Sequence, residues 1–174
     1  MYEIDHPETQ SWKRERLAQL GHKLPDALEF IPVDLEHETV AEALSRSSYR
    51  SDKRAFFSWL GTTPYLSREA IFHTLESIVA ASAPGSEIVF DYRVTKEFID
   101  PEDLPFVESG DKRDWGEPKR SWFNPLTLPD EISVLGFDLV ESLTPKQLQE
   151  RYFAGRSDVA RPSSHQYYAH FRMR

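Results

Sequence analysis

Three extended segments of this chain end in a carboxylate, and no other arrangement of its residues carries as much chemistry. Met1-Tyr2-Glu3-Ile4-Asp5 reads as a short strand closed by an acid, with His6-Pro7 opening a helix at once. Leu28-Glu29-Phe30-Ile31-Pro32-Val33 reads as a second strand ending at Asp34 and Leu35, and Glu87-Ile88-Val89-Phe90 as another running into Asp91 and Tyr92. In open α/β sheets ligands sit beyond the carboxyl ends of the strands, and an acid at a second-strand tip accepts hydrogen bonds from ribose hydroxyls. A strand and a glycine-rich turn precede that acid in such folds. This sequence has seven glycines and none in a G-x-G arrangement, so half of a nucleotide site is expected to be missing.

Each candidate also has a plainer role open to it. Asp5, just before His6-Pro7, has the placement of a helix cap, and Asp34 that of a turn carboxylate. Tyr65 reads by default as a packed aromatic with its hydroxyl at the rim. Trp115, Trp122 and Phe123 suit either an apolar substrate pocket or ordinary loop packing. Arg120 suits a substrate carboxylate or open solvent. The six histidines (6, 22, 37, 73, 165 and 170) show no ligand spacing, so no metal site is expected. No Ser-His-Asp or paired-carboxylate constellation is found.

The elements that must hold these residues alternate between strand and helix. A helix is expected from Pro7 to Leu20, with Glu8 in its first turn and Gly21 as its stop. Pro32 suits an edge strand. Thr39–Ser47 reads as a short helix. Ala55–Leu60 is a nearly continuous apolar run, the pattern of a strand buried on both faces. Ser67–Ser82 is the clearest helix, with Ile71, Leu75, Ile78 and Val79 on one stripe before Pro84-Gly85. Residues 94–123 break the rhythm and suggest a lid or substrate-side insertion. A helix beginning at Pro129, a strand at Phe137–Glu141, a capping-box helix from Thr144 and a terminal strand at His165–Arg174 follow. The reading is one domain over residues 1–174. It is an α/β doubly wound sheet, helices on both faces, with a mixed edge formed by the two late strands.

Composition narrows the functions. The formal charge is -8, so a general phosphate-binding surface and a nucleic-acid partner are not expected. The basic stretch Lys112–Arg120 is interrupted by Asp114 and Glu117 and reads as a solvated loop. There is no cysteine, which excludes disulfides, thiolate zinc sites and a cysteine nucleophile. No apolar run is long enough to span a bilayer, and a cytoplasmic protein without a membrane partner is the expectation.

Several segments, "MYEIDHPETQSWKRERL", "FIPVDLE", "FFSWLGTTPYLSREAI", "GSEIVFDY" and "LQERYFAGR", resemble the class I S-adenosylmethionine-dependent methyltransferases of the leucine carboxyl methyltransferase-like group. The resemblance covers nearly the whole chain, in order, from the second strand of that fold onward. It implies a Rossmann-like methyltransferase sheet whose first strand and glycine-rich turn lie ahead of "YEID". By the same resemblance Asp5 binds the cofactor's ribose, Asp34 and Leu35 flank its adenine, and Leu60 stands where relatives often carry a glutamate. Tyr65 matches a tyrosine that faces the reaction centre. The implied cofactor is S-adenosyl-L-methionine, and the implied reaction is O-methylation of a carboxylate or hydroxyl on a small molecule.

Three functional readings follow from the sequence. The first is that methyltransferase, inactive or active as this shortened chain. The second is a non-catalytic α/β interaction module descended from one, and the third a Rossmann-like enzyme using a nicotinamide cofactor. Loss of a central strand would leave two unpaired sheet edges, from which a homodimer is expected.

Overall fold

The computed structural model describes residues 1–111, 118–158 and 160–174. β1 (Tyr2–Asp5) and β2 (Glu29–Pro32) form a two-stranded parallel sheet joined through α1 (Pro7–Gln19). Pro32 lies on the outer strand, where its missing N–H removes no ladder bond. Helix α1 lies over the sheet face that carries Glu3 and Phe30. Gln10 Nε2 donates to the Glu3 carbonyl at 3.1 Å, Lys13 pairs with the Glu3 carboxylate at 2.7 Å, and the Arg14 guanidinium stands 5.0 Å from the Phe30 ring centre.

On the other face, α2 (Val40–Ser45) starts with a capping box. Thr39 Oγ1 accepts from the Glu42 amide at 3.1 Å and the Glu42 carboxylate accepts from the Thr39 amide at 3.0 Å. Two amides that a helix start leaves unpaired are thereby satisfied. Helix α2 packs on α3 (Arg68–Ala80), where Ser77 Oγ accepts from the Ala41 amide at 2.7 Å. The stripe Ile71, Leu75 and Ile78 is buried on α3, as its spacing predicts.

A second sheet runs in the order β3 (Phe56–Trp59), β4 (Glu87–Arg93), β6 (Gln166–Met173), β5 (Phe137–Leu143). β3 and β4 are parallel, and β6 is antiparallel to both of its neighbours. The two late strands do pair, but β6 inserts between β4 and β5 instead of lying at the edge. Alternate residues Ile88, Phe90 and Tyr92 of β4 and Ala169, Phe171 and Met173 of β6 are buried. Phe90 stacks on Phe171 at 5.9 Å, and Phe137 meets Phe171 edge-on at 6.0 Å. Helix α5 (Leu128–Ser133) adds Leu128 and Ile132 to the same core. Helix α6 (Pro145–Leu148) has its own Thr144–Gln147 capping box and runs on as a π-helical turn, Gln149–Phe153. Gly155 then ends it with φ of 76°, a conformation that side chains resist.

One expectation is corrected. The apolar run at β3 is not buried on both faces: Phe57 and Trp59 join the core, whereas Phe56 is 63% exposed. The reason is strand alternation, which sends Phe56 to the polar face with its ladder partner Glu87 and the nearby His170. The described strands fall into two sheets. Among the described residues β1 and β3 are not paired with each other, and their inner edges face across a cleft. Within residues 94–123, helix α4 (Leu104–Asp111) gives the insertion structure of its own, and a parallel bridge between Val94 and Phe123 closes it. Among the described residues no helix is long and apolar enough to cross a membrane.

Tyr92 is 1% exposed, and burial pushes its hydroxyl up to about 12. The folded state therefore keeps a proton that the unfolded chain releases above its ordinary value near 10. Its contribution to stability is whole below about pH 10 and is lost as pH rises toward about 12. Urea unfolding at pH 9 and pH 11.5 measures that loss, and Tyr92→Phe is expected to reduce it.

Candidate functional site

The cleft between β1 and β3 has a volume of about 520 Å³. Asp5, Asp34 and Leu35 line it together. The strand-tip reading thus brings three of the expected residues into one place. The geometry also separates the two roles open to Asp5. Its Oδ1 accepts from the His6 amide at 2.8 Å, but α1 has His6 as its N-cap and no side-chain cap. Its Oδ2 has no protein hydrogen-bond partner among the described residues. Asp34 Oδ1 accepts from the Glu36 amide at 3.0 Å, an Asx turn. Its Oδ2 lies 3.9 Å from Nε2 of both His6 and His37. Both acids are thus oriented by backbone amides, and both line the cleft.

Sequence reasoning missed two members of the wall. Tyr49 Oη and Trp59 Nε1 are buried without hydrogen-bond partners among the described residues, and both residues line the cleft. An unsatisfied buried polar group costs about 1–3 kcal/mol, which the polar atoms of a ligand can offset. Trp59 carries a sequence signal, since it ends β3 beside the strand-tip rim. Tyr49 carries none, because it sits in the connection after α2.

Leu60 is 51% exposed and does not line the cleft. Tyr65 does not line it either. It closes the single turn Thr63–Tyr65, and the Lys119 ammonium lies 3.4 Å from its ring centre. Asp91 and Tyr92 are not on an acceptor surface: both are buried. Asp91 instead holds the turn after β3. Its Oδ1 accepts from the Gly61 amide at 2.7 Å, its Oδ2 accepts from Gln166 Nε2, and its carbonyl accepts from Thr63 Oγ1 at 2.5 Å. Gly61, with φ of 77°, supplies the left-handed bend that this arrangement requires.

Arg120 already has a protein partner. It pairs with Glu36 at 2.8 Å, and its amide donates to the Pro64 carbonyl at 2.7 Å. Glu36 also accepts from the Ser67 amide at 3.0 Å. One carboxylate thus links the Asp34-Leu35 loop, the start of α3 and the end of the insertion. Phe123 is a core residue, in contact with Phe72 and Tyr92, while Trp122 is partly exposed beneath the Arg93 guanidinium. Trp115 lies outside the described residues.

The family described as leucine carboxyl methyltransferase matches residues 1–79, the portion that carries both strand-tip acids and the β3 turn. That portion of the chain is similar to the leucine carboxyl methyltransferases. YktD of Bacillus subtilis, a candidate S-adenosyl-L-methionine-dependent methyltransferase, is 29% identical over 160 residues, which is 91% of this chain and 52% of that protein. A Mycobacterium avium protein of the same description is 32% identical over 102 residues, covering 58% of this chain and 34% of its own. The chain therefore spans about half of the first relative and about a third of the second.

Solved structures give the fold. A candidate methyltransferase from Thermobifida fusca superposes with a TM-score of 0.64 at 17% identity, over 99% of this chain and 62% of that one. The S-adenosylmethionine-dependent methyltransferase SibL gives 0.63 at 12% identity, over 99% and 42%. The chain thus has the Rossmann-like α/β fold of these methyltransferases.

The Glu36 link is open to a direct check. Glu36→Ala removes the acceptor of the Ser67 amide, and exchange of that amide should speed up by about tenfold, the equivalent of one hydrogen bond. Glu36→Gln keeps an acceptor oxygen and should restore most of the protection, as read by amide hydrogen exchange.

Proposed function

We propose that this cleft is the adenosine end of an S-adenosyl-L-methionine site and that the whole protein is an O-methyltransferase acting on a small molecule. The observation that carries the proposal is the convergence of Asp5 and Asp34, on adjacent parallel strands, at the carboxyl end of one cleft. Asp5 has a free acceptor oxygen for ribose hydroxyls. Asp34 offers an acceptor for an exocyclic amine, with Leu35 as the apolar surface beside it. Tyr49 Oη and Trp59 Nε1 add unpartnered polar atoms in the same wall. The residues present therefore fit the nucleoside portion. No G-x-G turn occurs in the sequence to cradle the amino-acid portion.

When bound, this cofactor supplies a methyl group on a sulfonium, already activated for transfer. The protein then has to align the acceptor and exclude water, a task of proximity and orientation. A carboxylate acceptor is ionised at neutral pH and needs no general base. Tyr65 is the residue proposed to orient the acceptor, because its turn follows β3 directly and Asp91 and Gly61 fix that turn from below. The Lys119 ammonium over its ring gives the turn a positive charge suited to an anionic acceptor. Leu60, exposed and outside the cleft, is given no cofactor role.

Isothermal calorimetry with S-adenosylhomocysteine tests the proposal. Binding should be measurable, and Asp5→Ala should weaken it by tenfold or more, since a hydrogen bond to a charged group contributes about 1.5–3 kcal/mol. Unchanged affinity would remove Asp5 from the site. Absence of heat at millimolar ligand would leave the non-catalytic α/β module as the reading of this chain.

A further inference from the structure

One oxygen of Asp34 is shared by two imidazoles. Asp34 Oδ2 lies 3.9 Å from Nε2 of His6 and 3.9 Å from Nε2 of His37. The two rings reach it from different elements. His6 follows the tip of β1 and is the N-cap of α1. His37 belongs to the loop after β2, where its amide donates to the Asp34 carbonyl at 2.9 Å. A charge-assisted N–H···O bond is about 2.7–2.9 Å long, so each ring stands about 1 Å short of one. The side chains of His6 and His37 are 47% and 82% exposed, which gives both rings room to close that gap.

The other charges around this group are engaged elsewhere or stand apart from it. On β1, Asp5 Oδ1 accepts from the His6 amide. Glu8 in the first turn of α1 is exposed. In the loop after β2, Glu36 is held by Arg120 of the insertion and by the Ser67 amide, and Glu38 pairs with Arg46 at the end of α2. At the start of α3, Arg68 pairs with Glu131. Lys53 and Arg54, ahead of β3, line the same cleft. Imidazole is the side chain whose charge ordinarily changes between pH 5 and 8. A protonated ring donates from both nitrogens, and its bond to a carboxylate is roughly twice as strong as a neutral one. The exocyclic amine of adenine is a neutral donor and competes poorly with such a cation.

We infer that His6 and His37 couple nucleoside binding at Asp34 to the release of a proton, an inference that rests on the nucleoside reading of the cleft given above. A protonated ring swings onto Asp34 Oδ2 and takes the acceptor that the adenine amine needs. A neutral ring leaves that oxygen open. Binding of the nucleoside therefore breaks the ring's added N–H bond, and the proton passes to the buffer. By reciprocity, protons weaken nucleoside binding by the same factor. Binding is strongest above the range in which imidazole titrates and falls as pH drops through it. Asp5 stands on the neighbouring strand and does not share this oxygen, so only ligands with an exocyclic amine feel the coupling.

Calorimetry with S-adenosylhomocysteine at pH 5.5 and pH 8 tests the coupling, since this ligand has no group of its own that titrates between them. Affinity should be about fivefold tighter at pH 8, the margin between a charge-assisted and a neutral hydrogen bond. Midway between the two, the binding heat should vary with the ionisation heat of the buffer, as proton release requires. His6→Gln combined with His37→Gln keeps neutral donors, and it should bind equally at both pH values with a buffer-independent heat. Purine riboside, which is adenosine without its exocyclic amine, should show no pH preference in the unaltered chain. Equal affinity for S-adenosylhomocysteine at both pH values would overturn the inference and leave the nucleoside site in place. So would a preference that persists in the double variant or that purine riboside shares. Absence of binding at either pH would remove the nucleoside site itself, and the coupling with it.

Discussion

Parallel pairing constrains everything else in this molecule. Because β1 and β2 run together, as do β3 and β4, their carboxyl ends collect at one rim. Three acids stand at that rim, and their surroundings give them different work. Asp91 is enclosed and satisfied by Gly61 and Gln166, so it shapes the turn that follows β3. Asp5 and Asp34 each spend one oxygen on a local amide; the other is without a partner in Asp5 among the described residues and lies near two imidazoles in Asp34. The division between scaffold and binding residue is thus made by hydrogen-bond partners, since all three share the same residue type and the same kind of position.

The insertion is coupled to this rim through a few polar contacts. Arg120 reaches Glu36, the Arg120 amide reaches Pro64, and Ser121 Oγ donates to the Thr63 carbonyl at 2.9 Å. The segment that ends at Phe123 therefore returns to the turn carrying Tyr65. Glu36 connects the Asp34 loop to Arg120 and to Ser67 at the start of α3.

Much of the architecture was legible in the sequence, for identifiable reasons. The Thr39–Ser47 helix, the Thr144 capping box, the Ile71–Leu75–Ile78 stripe and the alternation in β6 are local patterns, and local patterns survive folding. Asp5 and Asp34 were legible as acids at strand tips because a strand tip is itself a local feature. What failed depended on neighbours distant in sequence. The exposure of Phe56 follows from the partner face of β4 and β6. The burial of Asp91 follows from Gln166, and the engagement of Arg120 from Glu36, contacts that no nearby residue announces. Tyr49 is the clearest case, since its significance comes only from standing between Tyr2 and Phe57.

That ring has a consequence for how the molecule comes apart. The β1–α1–β2 portion is joined to the larger sheet through side chains and α2, and no strand-to-strand ladder crosses the cleft among the described residues. Within α1 only Gln10 is buried, so the helix adds little apolar area to hold its sheet in place. Regions with few buried contacts open at lower free energy than the core. Melting should therefore be uneven, with the amino-terminal unit loosening while the four-stranded sheet stays folded. Tyr49 is the seam along which that separation would begin.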